Sequence, residues 1–354
     1  MASAMLLHGI FPAITTPFYP DGRVYYRKLE HNVDRYSRTP IAGIVILGST
    51  GEAVMLSAEE QREVLRETRA VSAPEKVLIA GTGAESVIET LKLTEYAATL
   101  GYDAALVRTP HYYRPQMRRQ NLLTFYRTVA DRSPLPVLLY TVPVFTAYDL
   151  PLEVVSDLAE HPNIIGIKES GGTLEKIKRL TTETQRVQRA AMVTEVFSAV
   201  TGRMLARDEP QPDESLVPAS VLAGPASVTA VKTKSLKTRS KEVGFQILTG
   251  TAQQLLPSLE AGAVGAVLAF AACAPTACFE IYTAWKERDP ELAREKQQRI
   301  VEAARIVVSE FGIPGIKYAL DLNGYYGGHP RMPLLPLTAD QKAEVERQMQ
   351  HLRN

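Results

Sequence analysis

Eight short apolar runs alternate with longer amphipathic segments, and this rhythm restricts the possible folds more than any other feature of the chain. Most of the runs are apolar throughout, which is typical of strands buried on both faces of a parallel sheet. In order they read GIFPAITTPF, AGIVILGS, KVLIAGTG, DAALVRTP, LPVLLYTVP, NIIGIKES, GFQILTG and AVGAVLAF. Eight parallel strand–helix units are the number that closes a (β/α)8 barrel.

The segments between these runs have helical spacing of apolar and charged residues. Ser57 followed by Glu60 predicts a capping box at the start of the second helix. A doubly wound open sheet is the alternative fold, but it requires a glycine-rich dinucleotide turn after an early strand, and GTGAES lacks that spacing. We therefore predict an α/β protein with a (β/α)8 TIM barrel and additional C-terminal helices.

One long segment interrupts the alternation between the sixth helix and the seventh strand. We assign residues 1–189 to the first six units, 190–243 to an insertion, 244–290 to the last two units and 291–354 to a C-terminal helical extension. The insertion combines proline, serine, threonine and basic residues without a sustained period, so we expect a disordered surface loop. A partner-binding arm and a misread gene segment remain open alternatives.

Composition excludes several classes of function. The 354 residues carry 40 Lys and Arg against 39 Asp and Glu, a net charge of +1, which gives no electrostatic reason to expect nucleic acid as a partner. The longest apolar stretch, AVGAVLAFAACA, has 12 residues and is too short to cross a membrane. Two cysteines and no secretory or transit signal indicate a cytoplasmic protein without a disulfide framework.

Candidate functional residues follow the predicted strands, at the barrel end where active sites form. Lys168 ends an apolar strand, where desolvation favours the neutral and nucleophilic amine. A lysine amine condenses with a carbonyl to give a Schiff base, and a nearby phenol can move the protons. There is no His/Asp/Glu metal set. The residues grouped at this end are Gly48, Ser49, Thr50, Tyr112, Tyr140, Lys168, Ser170 and Gly250.

Each of these residues also has a structural interpretation. Lys168 could extend from its strand end to water, Tyr140 could be a core phenol, and GSTGE could be an ordinary turn. Their joint position after strands two, four, five and six favours the functional interpretation. Glycines in GSTG let backbone N–H groups approach a carboxylate, so the set indicates a lyase acting on a 2-oxo acid.

The motifs GSTGE, TPHYYRP, LLYTVP and IGIKES, in that order, resemble the dihydrodipicolinate synthase / N-acetylneuraminate lyase superfamily of class I pyruvate-dependent aldolases. The resemblance extends from about residue 9 to 338 except the insertion. It implies a barrel, usually a homotetramer (a homodimer is the alternative), with no cofactor besides the covalent Schiff base. By the same resemblance, the roles would be Lys168 for the imine, Tyr140 as acid/base, Thr50 and Tyr112 as proton relay (Tyr112 in the neighbouring subunit's site), and Ser49 with Thr50 for the pyruvate carboxylate.

Within that superfamily the second substrate is uncertain. Dihydrodipicolinate synthases carry an arginine where this chain has Phe145, and a phenylalanine cannot clamp a carboxylate. FGIPGIKYALDLNGYYGG is similar to the 4-hydroxy-2-oxoglutarate aldolase branch, in which the position of Ser170 helps to hold the second carbonyl fragment. We expect cleavage or formation of a 4-hydroxy-2-oxo acid. The alternatives are condensation of pyruvate with aspartate semialdehyde, and a catalytically silent barrel used for binding.

Overall fold

The structure, a computed structural model, describes residues 4–208 and 236–352. Each of the eight apolar runs contributes one short strand to a parallel sheet. In chain order the sheet strands are β1 (Gly9–Pro12), β2 (Gly43–Ile46), β3 (Val77–Gly81), β4 (Ala104–Arg108), β5 (Val137–Thr141), β6 (Ile164–Glu169), β9 (Gln246–Thr249) and β10 (Gly265–Leu268). Two further strands, β7 (Arg189–Thr194) and β8 (Thr238–Val243), lie at the two ends of the insertion.

The sheet closes on itself. Its strand order is β1-β10-β9-β6-β5-β4-β3-β2. A parallel bridge between Ala13 and Val45 joins β1 to β2, and the Ile14 N–H donates to the Val45 carbonyl at 3.0 Å. This arrangement confirms the predicted (β/α)8 barrel.

Helices surround the barrel, and the predicted Ser57–Glu60 capping box is present at the start of the second. The first seven are α1 (Tyr26–Ser37), α2 (Ala58–Val71), α3 (Val87–Thr99), α4 (Arg119–Arg132), α5 (Pro143–Thr146), α6 (Leu152–Ala159) and α7 (Leu174–Thr184). The insertion adds α8 (Gly202–Asp208). The remainder are α9 (Leu255–Glu260), α10 (Phe270–Cys273), α11 (Pro275–Lys286), α12 (Pro290–Ala304), α13 (Gly312–Leu322) and α14 (Ala339–Met349). Among the described residues, none of the helices could span a bilayer.

The insertion is partly regular. β7 (Arg189–Thr194) pairs antiparallel with β8 (Thr238–Val243), from Arg189 opposite Val243 to Thr194 opposite Thr238. This ribbon differs from the expected disordered loop over 190–243, and it forms because alternate side chains of β7 are buried. Ala191 and Val193 pack with residues of the barrel interior. Residues 209–235 lie outside the described part of the chain.

A buried ion pair joins the insertion to the barrel. Arg203 of α8 and Asp103, which precedes β4, are each under 10% exposed, and Arg203 Nη2 lies 2.9 Å from Asp103 Oδ2. The same guanidinium donates to the Lys76 carbonyl, just before β3. Asp103 and Lys76 stand at the amino ends of strands, so the insertion covers the barrel end opposite the candidate active site.

Candidate active site

The register of β5 and β6 brings Tyr140 and Lys168 together. Tyr140 lies opposite Lys168, and Thr141 lies opposite Glu169. Successive side chains of a strand point to opposite faces. Tyr140 therefore packs in the barrel interior, with Lys168 beside it, while their neighbours face the surrounding helices. Lys168 is 5% exposed, and its Nζ lies 4.1 Å from the centroid of the Tyr140 ring.

The GSTGE motif forms a tight turn after β2. Ser49–Gly51 is a single turn of 3₁₀-helix with Gly48 at its start. The Ser49 Oγ lies 3.2 Å from the Tyr140 Oη, within hydrogen-bond distance. Thr50 is buried in the same turn. The hydroxyl that contacts the phenol thus belongs to Ser49, whereas the resemblance assigned the relay to Thr50.

A buried ionic network fixes the end of this turn. Glu52 has a left-handed backbone (φ 54°) and a fully buried carboxylate. Lys317 of α13 places its Nζ 2.7 Å from Glu52 Oε2 and donates to the carbonyls of Thr16 and His329 at 2.9 and 2.8 Å. The Arg331 N–H donates to Glu52 Oε1 at 2.8 Å. The C-terminal helical extension therefore anchors the turn that carries Ser49.

This network escaped sequence reasoning, although one signal pointed to it. Glu52 lies in an otherwise apolar and glycine-rich region, and a buried carboxylate requires a cation. Lys317 lies in FGIPGIKYALDLNG, a motif that by itself indicates no partner for the lysine. Nothing in the sequence pairs residues so far apart.

Tyr112 lies on the rim of the barrel. It is 77% exposed, and its ring makes an edge contact with Tyr113 at 5.1 Å between centroids. Glu85 holds this loop, because its Oε2 accepts the N–H groups of His111 and Tyr112 at 2.9 and 3.0 Å. Burial raises the pKa of Glu85, but the Arg108 guanidinium and these N–H groups together hold it below its usual value. In the described part of this single chain the Tyr112 hydroxyl makes no hydrogen bond.

Phe145 projects from the loop after β5. It lies on the short helix α5 and is 63% exposed. Arg114, from the Tyr112 loop, donates from Nη1 to the carbonyl of Ala147 at 3.3 Å. The Arg114 guanidinium therefore contacts the backbone two residues after Phe145.

Ser170 and Gly250 meet at the ends of β6 and β9. The Ser170 N–H donates to the Thr141 carbonyl at 3.1 Å, and the Gly250 N–H donates to the Glu169 carbonyl at 2.7 Å. A side chain at position 250 would collide with Ser170, because an added Cβ would lie 1.9 Å from its Oγ. A residue larger than glycine at position 250 would therefore displace the Ser170 hydroxyl.

A cavity of about 150 Å³ adjoins the Ser49 turn. Tyr140 and Ser49 line it, together with three cationic side chains, Arg62, Lys92 and Arg108. The lining also includes Glu89, and two of these cations are paired with carboxylates: Lys92 with Glu89 at 2.8 Å and Arg108 with Glu85 at 2.7 Å. In residues 4–208 and 236–352, no cluster of His, Cys, Asp or Glu could hold a metal ion.

Comparison with known proteins agrees with this geometry. The model of the dihydrodipicolinate synthetase family matches residues 6–190 and 224–352. The chain belongs to the dihydrodipicolinate synthetase family. A 4-hydroxy-tetrahydrodipicolinate synthase from Methanothrix thermoacetophila is 31% identical over 340 residues, covering 96% of this chain and 95% of that protein.

Solved structures of the family share the fold. The chloride-inhibited dihydrodipicolinate synthase of Acinetobacter baumannii, complexed with pyruvate, is 27% identical with a TM-score of 0.75, and 98% of each chain is covered. The 4-hydroxy-tetrahydrodipicolinate synthase of Methylacidiphilum fumariolicum is 26% identical with a TM-score of 0.74, covering 99% of this chain and 100% of that one.

Membership establishes the general chemistry. The chain is an enzyme, a pyruvate-dependent lyase of the dihydrodipicolinate synthetase family, whose members act through a Schiff-base lysine. The comparisons support the superfamily predicted from the motifs. They do not support the 4-hydroxy-2-oxoglutarate aldolase branch, because the similar proteins are named 4-hydroxy-tetrahydrodipicolinate synthases.

Proposed function

We propose that Lys168 forms the Schiff base with pyruvate and that no other cofactor takes part. The observation that supports this is the position of its amine, buried in the barrel and 4.1 Å from the Tyr140 ring. The amine would attack the pyruvate C2 carbonyl, and water would leave as the imine forms. Loss of a methyl proton would then give the enamine that attacks an aldehyde.

Tyr140 and Ser49 are suited to carry the protons of these steps. Their hydroxyl oxygens lie 3.2 Å apart, and Tyr140 adjoins the Lys168 amine. We therefore assign the relay to Ser49. The N–H groups of the 3₁₀ turn and the Thr50 hydroxyl would hold the pyruvate carboxylate, with Gly48 allowing the close approach.

Aspartate semialdehyde is the first candidate for the second substrate, because the relatives are named 4-hydroxy-tetrahydrodipicolinate synthases. This chain has Phe145 where those synthases carry an arginine. Arg114, whose guanidinium reaches the Ala147 carbonyl, would supply the cation for the substrate carboxylate instead. A 4-hydroxy-2-oxo acid is the second candidate, favoured by the exposed apolar Phe145 and by the Ser170 hydroxyl against Gly250.

Borohydride trapping tests the Schiff base. Pyruvate followed by borohydride should add one pyruvate-derived group to the Lys168 peptide, as detected by peptide mass mapping. The variant Lys168→Ala should lose the adduct and essentially all activity, because the imine requires a primary amine at this position. Trapping that persists in this variant would refute the assignment.

A direct comparison tests the second substrate. We expect kcat/KM for condensation of pyruvate with aspartate semialdehyde to exceed that for cleavage of 4-hydroxy-2-oxoglutarate. Arg114→Met should lower the condensation about 10-fold or more, the effect of losing one interaction of ~1.4 kcal/mol. Arg118→Met, on an exposed arginine of the same loop region, is the control. Faster cleavage would select the second candidate.

The exposed Tyr112 supports a homo-oligomer, a dimer or tetramer, in which this phenol completes the site of the neighbouring subunit. The two buried free cysteines, Cys273 and Cys278, support a cytoplasmic location. Sedimentation with activity measured on dilution tests the assembly. A fully active monomer would contradict the proposed role of Tyr112.

A further inference from the structure

Lys176 of α7 lies behind the catalytic pair, on the helix-facing side of the barrel wall. Its Nζ is 3.0 Å from Glu169 Oε2, and the Glu169 side chain is fully buried. Glu169 directly follows Lys168. The Glu169 Oε1 also accepts the N–H of Gly171, so this carboxylate is held at both oxygens.

The same ammonium reaches the neighbouring strand. Lys176 Nζ forms a second ion pair with Asp149 Oδ1. The Thr141 hydroxyl donates to that oxygen at 2.9 Å and accepts the Leu150 N–H at 3.1 Å. Thr141 directly follows Tyr140. One cation therefore links the residue after Tyr140 to the residue after Lys168.

The register explains why this link matters. Thr141 stands opposite Glu169, as Tyr140 stands opposite Lys168, so the outer pair and the catalytic pair occupy adjacent rungs of the same ladder. Without Lys176, the two carboxylates of Glu169 and Asp149 would face each other. Burial already raises the pKa of Glu169; Lys176 opposes this rise and Asp149 adds to it.

We propose that Lys176 is a positioning residue, which ties the ends of β5 and β6 together and so holds the Tyr140 phenol over the Lys168 amine. It touches neither substrate nor reacting atoms. The inference rests on the proposed function of Lys168 and Tyr140. It assigns a role in catalysis to a residue that lies on the outer side of the barrel wall, away from the reacting atoms.

The primary test compares Lys176→Met with Lys176→Arg. Lys176→Met should lower kcat about 10- to 100-fold, measured well below its melting temperature, while KM for pyruvate changes less than threefold. Lys176→Arg retains a cation and should recover at least half of the activity. Borohydride should still trap pyruvate on Lys168 in Lys176→Met, because the nucleophile itself is intact.

A second buried ion pair supplies the matched control. Arg203→Met removes the partner of Asp103 at the other end of the barrel. It should lower the melting temperature by an amount similar to Lys176→Met, yet kcat at a temperature where both are folded should stay within twofold of the parent.

A double variant separates positioning from charge burial. Lys176→Met/Glu169→Gln leaves no unpaired buried carboxylate, so its melting temperature should return towards that of the parent. Its kcat should remain low, because the link between the strands is still missing. Recovery of kcat together with stability would overturn the proposal, as would an unchanged kcat in Lys176→Met.

Failure of the proposal is distinguishable from failure of the proposed function. If pyruvate does not label Lys168 in the parent enzyme, the assignment of the nucleophile is wrong. If labelling occurs and the Lys176 variants still turn over normally, only the positioning role is wrong.

Discussion

At the scale of single residues, the hydroxyls of Ser49 and Tyr140 lie 3.2 Å apart in the candidate site. GSTGE contains two adjacent hydroxyls, those of Ser49 and Thr50, and either could contact the phenol as far as the motif shows. The 3₁₀ turn decides between them, because it directs Ser49 towards the Tyr140 hydroxyl. The strand-end position of Tyr140 and Lys168, by contrast, could be predicted from sequence, since each follows an apolar run, and the structure places them side by side. Their catalytic roles stay predictions.

Tyr140→Phe should retain the fold and lose about 10²- to 10⁴-fold in kcat, the usual contribution of a positioned proton donor. Tyr126→Phe is a matched control: this buried phenol bonds Thr109 at 3.0 Å, away from Lys168. Its loss should reduce stability by about 1 kcal/mol and leave kcat within twofold. Steady-state kinetics with circular dichroism checks both variants, and equal losses would make Tyr140 a packing residue.

At the scale of elements, the barrel strands were predictable because they are buried on both faces. β7 and β8 were not. β8 reads TRSKEV and buries only its last residue, so its sequence resembles a loop. Its partner lies more than forty residues earlier, and such pairing depends on the closed barrel beneath it.

The ion pair between Lys317 of α13 and Glu52 predicts that the stability of the fold depends strongly on one lysine of this helix. Lys317→Met should destabilise the fold by about 3–5 kcal/mol, because it leaves a buried carboxylate unpaired. Lys317→Met/Glu52→Gln should recover part of that loss, since the amide can still accept the Arg331 N–H. Chemical denaturation measures both. No recovery in the double variant would show that packing of Lys317, rather than its charge, stabilises the turn.

At the scale of the whole molecule, His8 connects the N-terminal segment to the insertion. Burial, together with repulsion from Lys241 and Lys286, lowers the pKa of His8 to about 4. The folded state thus favours neutral His8, while the unfolded chain takes up a proton below pH 6.5. This contribution to stability is complete above pH 6.5 and is lost as the pH falls towards 4.

His8→Gln should therefore reduce the fall in melting temperature between pH 7 and pH 5 by roughly 2–4 °C. Lys241→Met should have a smaller effect in the same direction, because only one repulsive charge is removed. Differential scanning fluorimetry across this range gives the answer. Identical pH profiles in parent and His8→Gln would exclude His8 as the titrating group.

The boundaries assigned to the insertion, 190–243, can be tested by deletion. We expect the deletion to destabilise the barrel. Asp103 would lose its ion pair with Arg203, and the apolar residues of the barrel interior would lose their packing against Ala191 and Val193. Asp103→Asn in the deleted chain should recover part of the stability, since it removes the unpaired charge. Thermal melting of the two deletion variants measures this. If the simple deletion variant is as stable as the parent, the ribbon does not contribute to the stability of the barrel.

The pairing of Arg189 with Val243 has a consequence for how this chain tolerates change. The chain leaves the barrel and returns to it at neighbouring points of one ribbon. The pairing of β7 with β8 therefore offsets the entropy cost of closing the loop between the two strands. That exit lies on the opposite end from the reaction. A reporter domain inserted between Asp208 and Leu236 would therefore be attached at the barrel end far from Lys168. The lyase should tolerate this insertion without a change in the position of Lys168.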